Sequence, residues 1–312
     1  MEPAKTDEEI KARLAELLPH LEESTEAEKA LAGAVVQHGG IIKAYPGLRP
    51  DGVRGLLTPT PLRQNDVILC IPKEYVMHLD VSRESVRKGI DEVLHKSGMA
   101  RSEAEKTVYE QMMALCIELL LERHLIASSN NATATVSDES PDPSYWRAYV
   151  TSLPDPPSTI NLYTESDRKL YNTLLGQDHI KMYAGLISII HAATQQVPDF
   201  TTNGGSPPTR KAVQDEFFFI LSRLSYLRLI PYIDLANAAP PGEHNVKIMQ
   251  DKVSGNCYLH ALRDIAPGEE LCIDYNHRNG ISLMASYGFS MELEKLRSSF
   301  KVTIPCPHFM RR

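Results

Sequence analysis

The sequence predicts an α+β fold in which a large helical block is inserted between two strand-forming segments and preceded by N-terminal helices. Two observations carry this. Short strand-like runs punctuated by Gly and Pro occupy residues 41–80 and return after Leu229, whereas helical periodicity and long apolar stripes fill the interval. Hydrophobic residues make up 42% of the 312 residues, enough to build a packed core and to exclude global disorder. The expected organisation is N-terminal helices over 1–40, a first strand segment over 41–80, a helical insertion over 81–230, a second strand segment over 231–290 and a tail over 291–312.

At the N-terminus, Thr6-x-x-Glu9 is a capping-box pattern followed by Ile10, Leu14, Leu17 and Leu18 at helical spacing, with Pro19 disturbing the helix. A second box, Thr25-x-x-Glu28, predicts a helix running to His38, where Gly39-Gly40 stops it. Ile41–Tyr45 reads as a strand. Asp51-Gly-Val-Arg-Gly55 reads as a turn that Gly55-Leu-Leu-Thr continues, and Asp66–Ile71 as a short buried strand closed by Pro72.

In the helical block, Val108, Met112, Leu115, Leu119 and Ile126 form one apolar stripe. The Ser-, Asn-, Thr- and Pro-rich run Ala127–Pro143 and the run Thr201–Pro208 read as loops. Phe217–Leu227 is apolar and long enough for a buried helix, which places Arg223 as a charge inside it; such charges are seldom buried unpaired. Strands then return: Ile248–Ala261 as a hairpin turning at Lys252–Asn256, and Leu271–Tyr275 fed by the loop Asp264–Glu270. No internal repeat is present.

Composition excludes several classes. A net charge of −7 argues against direct nucleic-acid binding, which draws on a basic face. Five scattered cysteines, Cys70, Cys116, Cys257, Cys272 and Cys306, show no zinc spacing, so no metal site is expected and the thiols read as reduced. The charged N-terminus lacks an apolar signal region and no apolar run is long enough to span a bilayer. The expectation is therefore a cytoplasmic or nuclear protein without membrane association. His244, His260 and His277 form no ligand pattern.

Three ordered blocks carry a family resemblance. The first is Asp51-Gly-Val-Arg-Gly-Leu with Asn65–Lys73. The second is Tyr145-Trp-Arg-Ala-Tyr149 with Leu153–Ile160. The third runs from Ser222-Arg223 through Ile230-Pro-Tyr-Ile-Asp-Leu-Ala-Asn237 and Glu269–Tyr275 to Tyr287-Gly-Phe289. Together they resemble SET-domain protein methyltransferases of the Rubisco large-subunit methyltransferase-like branch, over roughly residues 40–290. The resemblance implies a β-rich SET fold with pseudoknot-like C-terminal threading, S-adenosylmethionine as cofactor and a protein or peptide substrate methylated on lysine. The relatives that act on a histidine carry Trp where Ile233 stands here.

It also implies roles for individual residues. Tyr275 would be the catalytic hydroxyl; read by type alone it is a strand tyrosine. Gly52, Val53 and Arg54 would form the cofactor loop, with Val53 replacing the family's usual glycine. Arg223 would pair with the cofactor carboxylate, or else form an internal ion pair. Asp234 would bond substrate or cofactor, or else cap a loop; Asn237 would hold the cofactor's amino end, or else serve as a turn residue before Pro240. Ala238 replaces the family's His, keeping its backbone and losing its ring, while Tyr287 and Phe289 would line the lysine channel and pack on adenine. The branch usually continues into a helical docking domain, for which residues 291–312 leave little room. Ala238 and that short tail also fit a non-catalytic SET-like binding module, the competing expectation.

Overall fold

The computed structural model describes residue 12 and residues 24–49, 52–98, 102–129, 143–153, 177–202, 205–240 and 242–275. The first capping box, the Leu153–Ile160 motif beyond Leu153, His277, Tyr287, Phe289 and Cys306 lie outside the described residues, as does any threading of the chain after Tyr275.

Helix α1 spans Glu26–Gln37 and starts as the second capping box predicts: the Thr25 hydroxyl accepts from Glu28 N, and the Glu28 carboxylate accepts from Thr25 N. Such a cap is worth about 1 kcal/mol. Gly39 then turns the chain at φ 86°, a left-handed value that costs glycine nothing. The predicted Ile41–Tyr45 strand divides into two elements of different sheets: β1 (Ile41–Ile42) pairs with β4 (Val67–Ile71), and β2 (Tyr45–Leu48) with β3 (Arg54–Leu57). The break is held by the Tyr232 hydroxyl, which donates to the Ala44 carbonyl at 3.1 Å.

Among the described residues the central block contains five α-helices: α2 (Glu84–Ser97), α3 (Glu103–Ser129), α4 (Pro143–Ser152), α5 (Gln177–Thr194) and α6 (Arg210–Leu221). Helix α3 buries Met112 through Leu121 nearly all round, as a helix surrounded by others must. Val108, placed on its apolar stripe by periodicity, is instead 39% exposed, one turn before the burial begins. The same helix runs to Ser129, into the stretch read from composition as loop. Helix α1 packs on α4 and against β1, joining the block to the strands, while α3 packs on α6 within the block.

Four antiparallel strands form the main sheet in the order β1-β4-β7-β6, where β6 is Val246–Gln250 and β7 is Cys257–Ala261. The β6–β7 hairpin is the one expected, begun two residues earlier. Asp251 closes its turn by accepting from Val253 N and Ser254 N. The last described strand is shorter than the Leu271–Tyr275 run: only Cys272–Ile273 (β8) pairs, in parallel, with β5 (Asn237–Ala238). Buried Asn245 fixes β8. It exchanges backbone and side-chain bonds with Cys272 at 3.1 and 2.8 Å and donates to the Glu270 carbonyl at 2.8 Å. Among the described residues no helix is long and apolar enough to cross a membrane, and no cluster of His, Cys, Asp and Glu could hold a metal.

The largest departure from the sequence reading lies at Arg223. Helix α6 stops at Leu221, where the Ser222 hydroxyl turns back to the Phe219 carbonyl at 2.6 Å and competes with a further turn. The chain then reverses between Ser225 and Arg228, with Tyr226 at φ 52° and Leu227 at φ 59°. Left-handed pairs of this kind usually carry Asn or Gly, so the apolar Tyr-Leu pair gave no turn signal. Arg223 is therefore a post-helical residue, not a charge within a helix.

Candidate active site

Two cavities meet at this helix end. One, of about 550 Å³, lies between α1, β3, the end of α4 and the 222–237 segment; the other, of about 440 Å³, lies between the 222–226 turn, β6 and the end of β8. Both fall within the range of small-molecule sites, roughly 300–1,000 Å³. Ser222, Arg223, Asp234 and Tyr275 line both cavities.

Arg223 is held from several sides. Its Nη1 donates to the Asp234 carbonyl at 3.1 Å and lies 3.5 Å from Oδ2 of the same residue. Its guanidinium also stacks over the Phe219 ring, 5.2 Å from the centroid. Nε is buried without a hydrogen-bond partner, a costly state that an anionic ligand in either cavity would relieve.

Asp234 sits in the short helical turn Ile233–Leu235, with its side chain only 1% exposed. Its Oδ2 accepts from the Tyr149 hydroxyl at 2.6 Å, while Oδ1 is buried and unpartnered. Burial pushes its carboxyl above the ordinary aspartate value, against the pull of Arg223 and Tyr149. The internal ion pair foreseen as one alternative for Arg223 is present, and the same residue lines both cavities.

Asn237 stands in strand β5 rather than in a turn. Its Nδ2 donates to the Arg54 carbonyl at 2.8 Å and to Glu270 Oε1 at 2.7 Å. With both amide hydrogens taken, the group this side chain offers a ligand is its carbonyl oxygen, an acceptor suited to an ammonium. Gly55 closes the same wall. A Cβ there would lie 2.3 Å from Glu270 Oε1, so a larger residue would displace the Glu270 carboxylate from the wall.

The wall overlaps the predicted loop at Arg54 only. Arg54 and Gly55 line the larger cavity, whereas Gly52, at φ 79°, and Val53, 47% exposed, occupy the solvent-facing hairpin tip. Ala238 contributes backbone pairing opposite Ile273 and lines neither of these two cavities. Tyr275 follows β8, and its hydroxyl donates to the Ala236 carbonyl at 3.0 Å. Toward a further partner that oxygen serves as an acceptor.

Several site residues were not singled out from the sequence. In the sequence Tyr149 and Glu270 stand out only as members of family blocks, and Glu28 only as a helix cap. Nothing in their local patterns marks a cavity; the contacts arise from segments far apart in the chain.

The SET domain family model matches residues 53–276, and the chain belongs to the SET domain family. Solved structures share the fold. The SET domain of LSMT bound to lysine and AdoHcy superposes with TM-score 0.57 at 17% identity, over 85% of this chain and 57% of that one. Rubisco LSMT bound to sinefungin and monomethyllysine, and Rubisco LSMT bound to AdoMet, each give TM-score 0.58 at 18% identity over 86% of this chain. The chain thus spans 57% of the length of each of these three structures. No curated protein matches it.

Proposed function

We propose that this protein transfers a methyl group from S-adenosylmethionine to a lysine side chain of a protein substrate. The observation that carries the reading is the junction itself: two cavities on either side of one tyrosine, with an arginine and a carboxylate on the shared wall. The structural neighbours support it: one is bound to lysine and AdoHcy, one to sinefungin and monomethyllysine, and one to AdoMet.

The residues fit the cofactor. The unpartnered Nε of Arg223 suits its carboxylate and the Asn237 oxygen its ammonium, and Gly55 lines the same cavity beside them. When bound, the cofactor supplies an electrophilic methyl on a sulfonium. The smaller cavity would take the acceptor lysine. Deprotonating that amine near pH 7 costs roughly 4–5 kcal/mol from its reference pKa of about 10.4, and an enclosed cavity lowers this cost by desolvating the ammonium. The Tyr275 oxygen, fixed by its bond to Ala236, would accept from the neutral amine and orient its lone pair along the line of attack. Asp234 Oδ1 supplies a second acceptor at the junction.

Ala238 favours a second reading, a binding module with reduced cofactor affinity, because the ring of the family's His is lost. Tritiated S-adenosylmethionine incubated with cell extract decides between them. Label on a lysine of a discrete protein, absent with the Tyr275→Phe variant, is expected; cofactor binding without transfer to any protein would favour the module.

A further inference from the structure

We propose that Glu28 is a positioning residue for the cofactor pocket, holding Arg54 so that the Arg54 carbonyl fixes the Asn237 carboxamide. The inference rests on the cofactor reading above and extends it to a helix outside residues 53–276, the family-matched region.

Thr25, Ala27 and Glu28, at the first turn of α1, line the larger cavity opposite Arg223. Glu28 is 4% exposed, and its carboxylate has more partners than a cap requires. Oε2 accepts from Thr25 N at 2.7 Å and from the Thr25 hydroxyl at 3.0 Å, which completes the capping box. Beyond that, Oε1 accepts from Arg54 Nε at 3.0 Å, and Arg54 Nη2 donates to Oε2. The result is a two-point grip of the kind guanidinium and carboxylate planes favour. Glutamine would cap the helix equally well, so capping does not explain the charge.

What the grip controls is the edge of β3. Arg54 is the first residue of that strand, paired with Leu48 at the last rung of its ladder, just before the exposed tip at Gly52 and Val53. Its carbonyl receives one Asn237 amide hydrogen, and Glu270, itself held by Arg49 at 2.7 Å, receives the other. Asn237 is thus oriented from two sides, each secured by an ion pair: Glu28–Arg54 on one and Arg49–Glu270 on the other. Releasing Arg54 frees the strand edge and lets the amide rotate away from the acceptor geometry that an ammonium needs.

The experiment is calorimetric titration of the full chain with S-adenosylhomocysteine, with urea denaturation of each variant in parallel. Glu28→Gln keeps the cap and loses the ion pair, Arg54→Met removes the same contact without touching the helix, and the double variant closes the cycle. Each single variant is expected to bind about fivefold to tenfold more weakly, the double variant no more weakly than the singles, with urea midpoints close to the wild type. Wild-type affinity in Arg54→Met, alongside clear loss in Asn237→Ala, would overturn the role of Glu28 and leave the pocket standing. Variants that lose stability but not affinity would reduce Glu28 to a helix cap. Absence of any binding to the wild type would overturn the cofactor reading and this proposal together.

Discussion

The Tyr149 hydroxyl lies 2.6 Å from Oδ2 of Asp234, so a residue of the helical block grips the acid that pairs with Arg223 on the wall shared by the two cavities. The helical insertion is thereby part of the site and not only its support.

Arg223→Ala should weaken S-adenosylhomocysteine binding by about 1.5–3 kcal/mol, the usual loss for a charged hydrogen-bonding partner. Calorimetry on the folded variant checks this. Normal affinity in a destabilised protein would assign Arg223 to its internal pair with Asp234 alone.

Tyr275→Phe keeps the ring and removes the hydroxyl. Turnover is expected to fall roughly a hundredfold, equivalent to about 2.7 kcal/mol, with the cofactor dissociation constant within a small factor of wild type. Single-turnover kinetics on a verified substrate reads both quantities. Unchanged turnover would leave Tyr275 as a wall residue.

Gly55→Ala would drive a Cβ to 2.3 Å from Glu270 Oε1 and 3.2 Å from Asn237 Nδ2. Glu270 must then leave its bonds to Arg49 and Asn237. A stability loss of about 1–3 kcal/mol is expected, as for other overpacked sites, together with weaker cofactor binding. Urea denaturation and calorimetry on one preparation measure both; an unperturbed variant would show that the strand has slack.

The Asp234 carboxyl is raised chiefly by burial from its ordinary value of 3.8, so the folded chain keeps this proton where the unfolded chain has released it. Its contribution to stability therefore falls as pH rises from about 4 to the folded value. Asparagine does not titrate. The stability of Asp234→Asn relative to wild type should rise across that window and then level off. Parallel urea-midpoint curves for the two proteins over the acid range would contradict the shift.

Local chemistry made α1 legible, because Thr25 and Glu28 announce its start and Gly39-Gly40 its end. The β6–β7 hairpin was legible for a similar reason, since its turn residues lie together in sequence. The end of α6 was not: Tyr226 and Leu227 adopt a turn that their side chains disfavour, and only packing around them enforces it. For the site, the order of motifs pointed to Arg223, Asp234, Asn237 and Tyr275, all of which line the larger cavity. Glu28, Tyr149 and Glu270 stayed hidden because their roles depend on partners in distant segments.

The parallel pairing of Asn237 with Cys272, and the antiparallel pairing of Ile71 with Cys257, also have a kinetic side. The second joins strands separated by the whole helical block, a loop whose closure entropy must be met before the sheet gains anything. The helices can form early from near neighbours, whereas the pocket waits for residues around 270 to return to β3. On a ribosome it would be among the last features to mature. A ligand that recognises only the finished pocket would slow unfolding without hastening assembly.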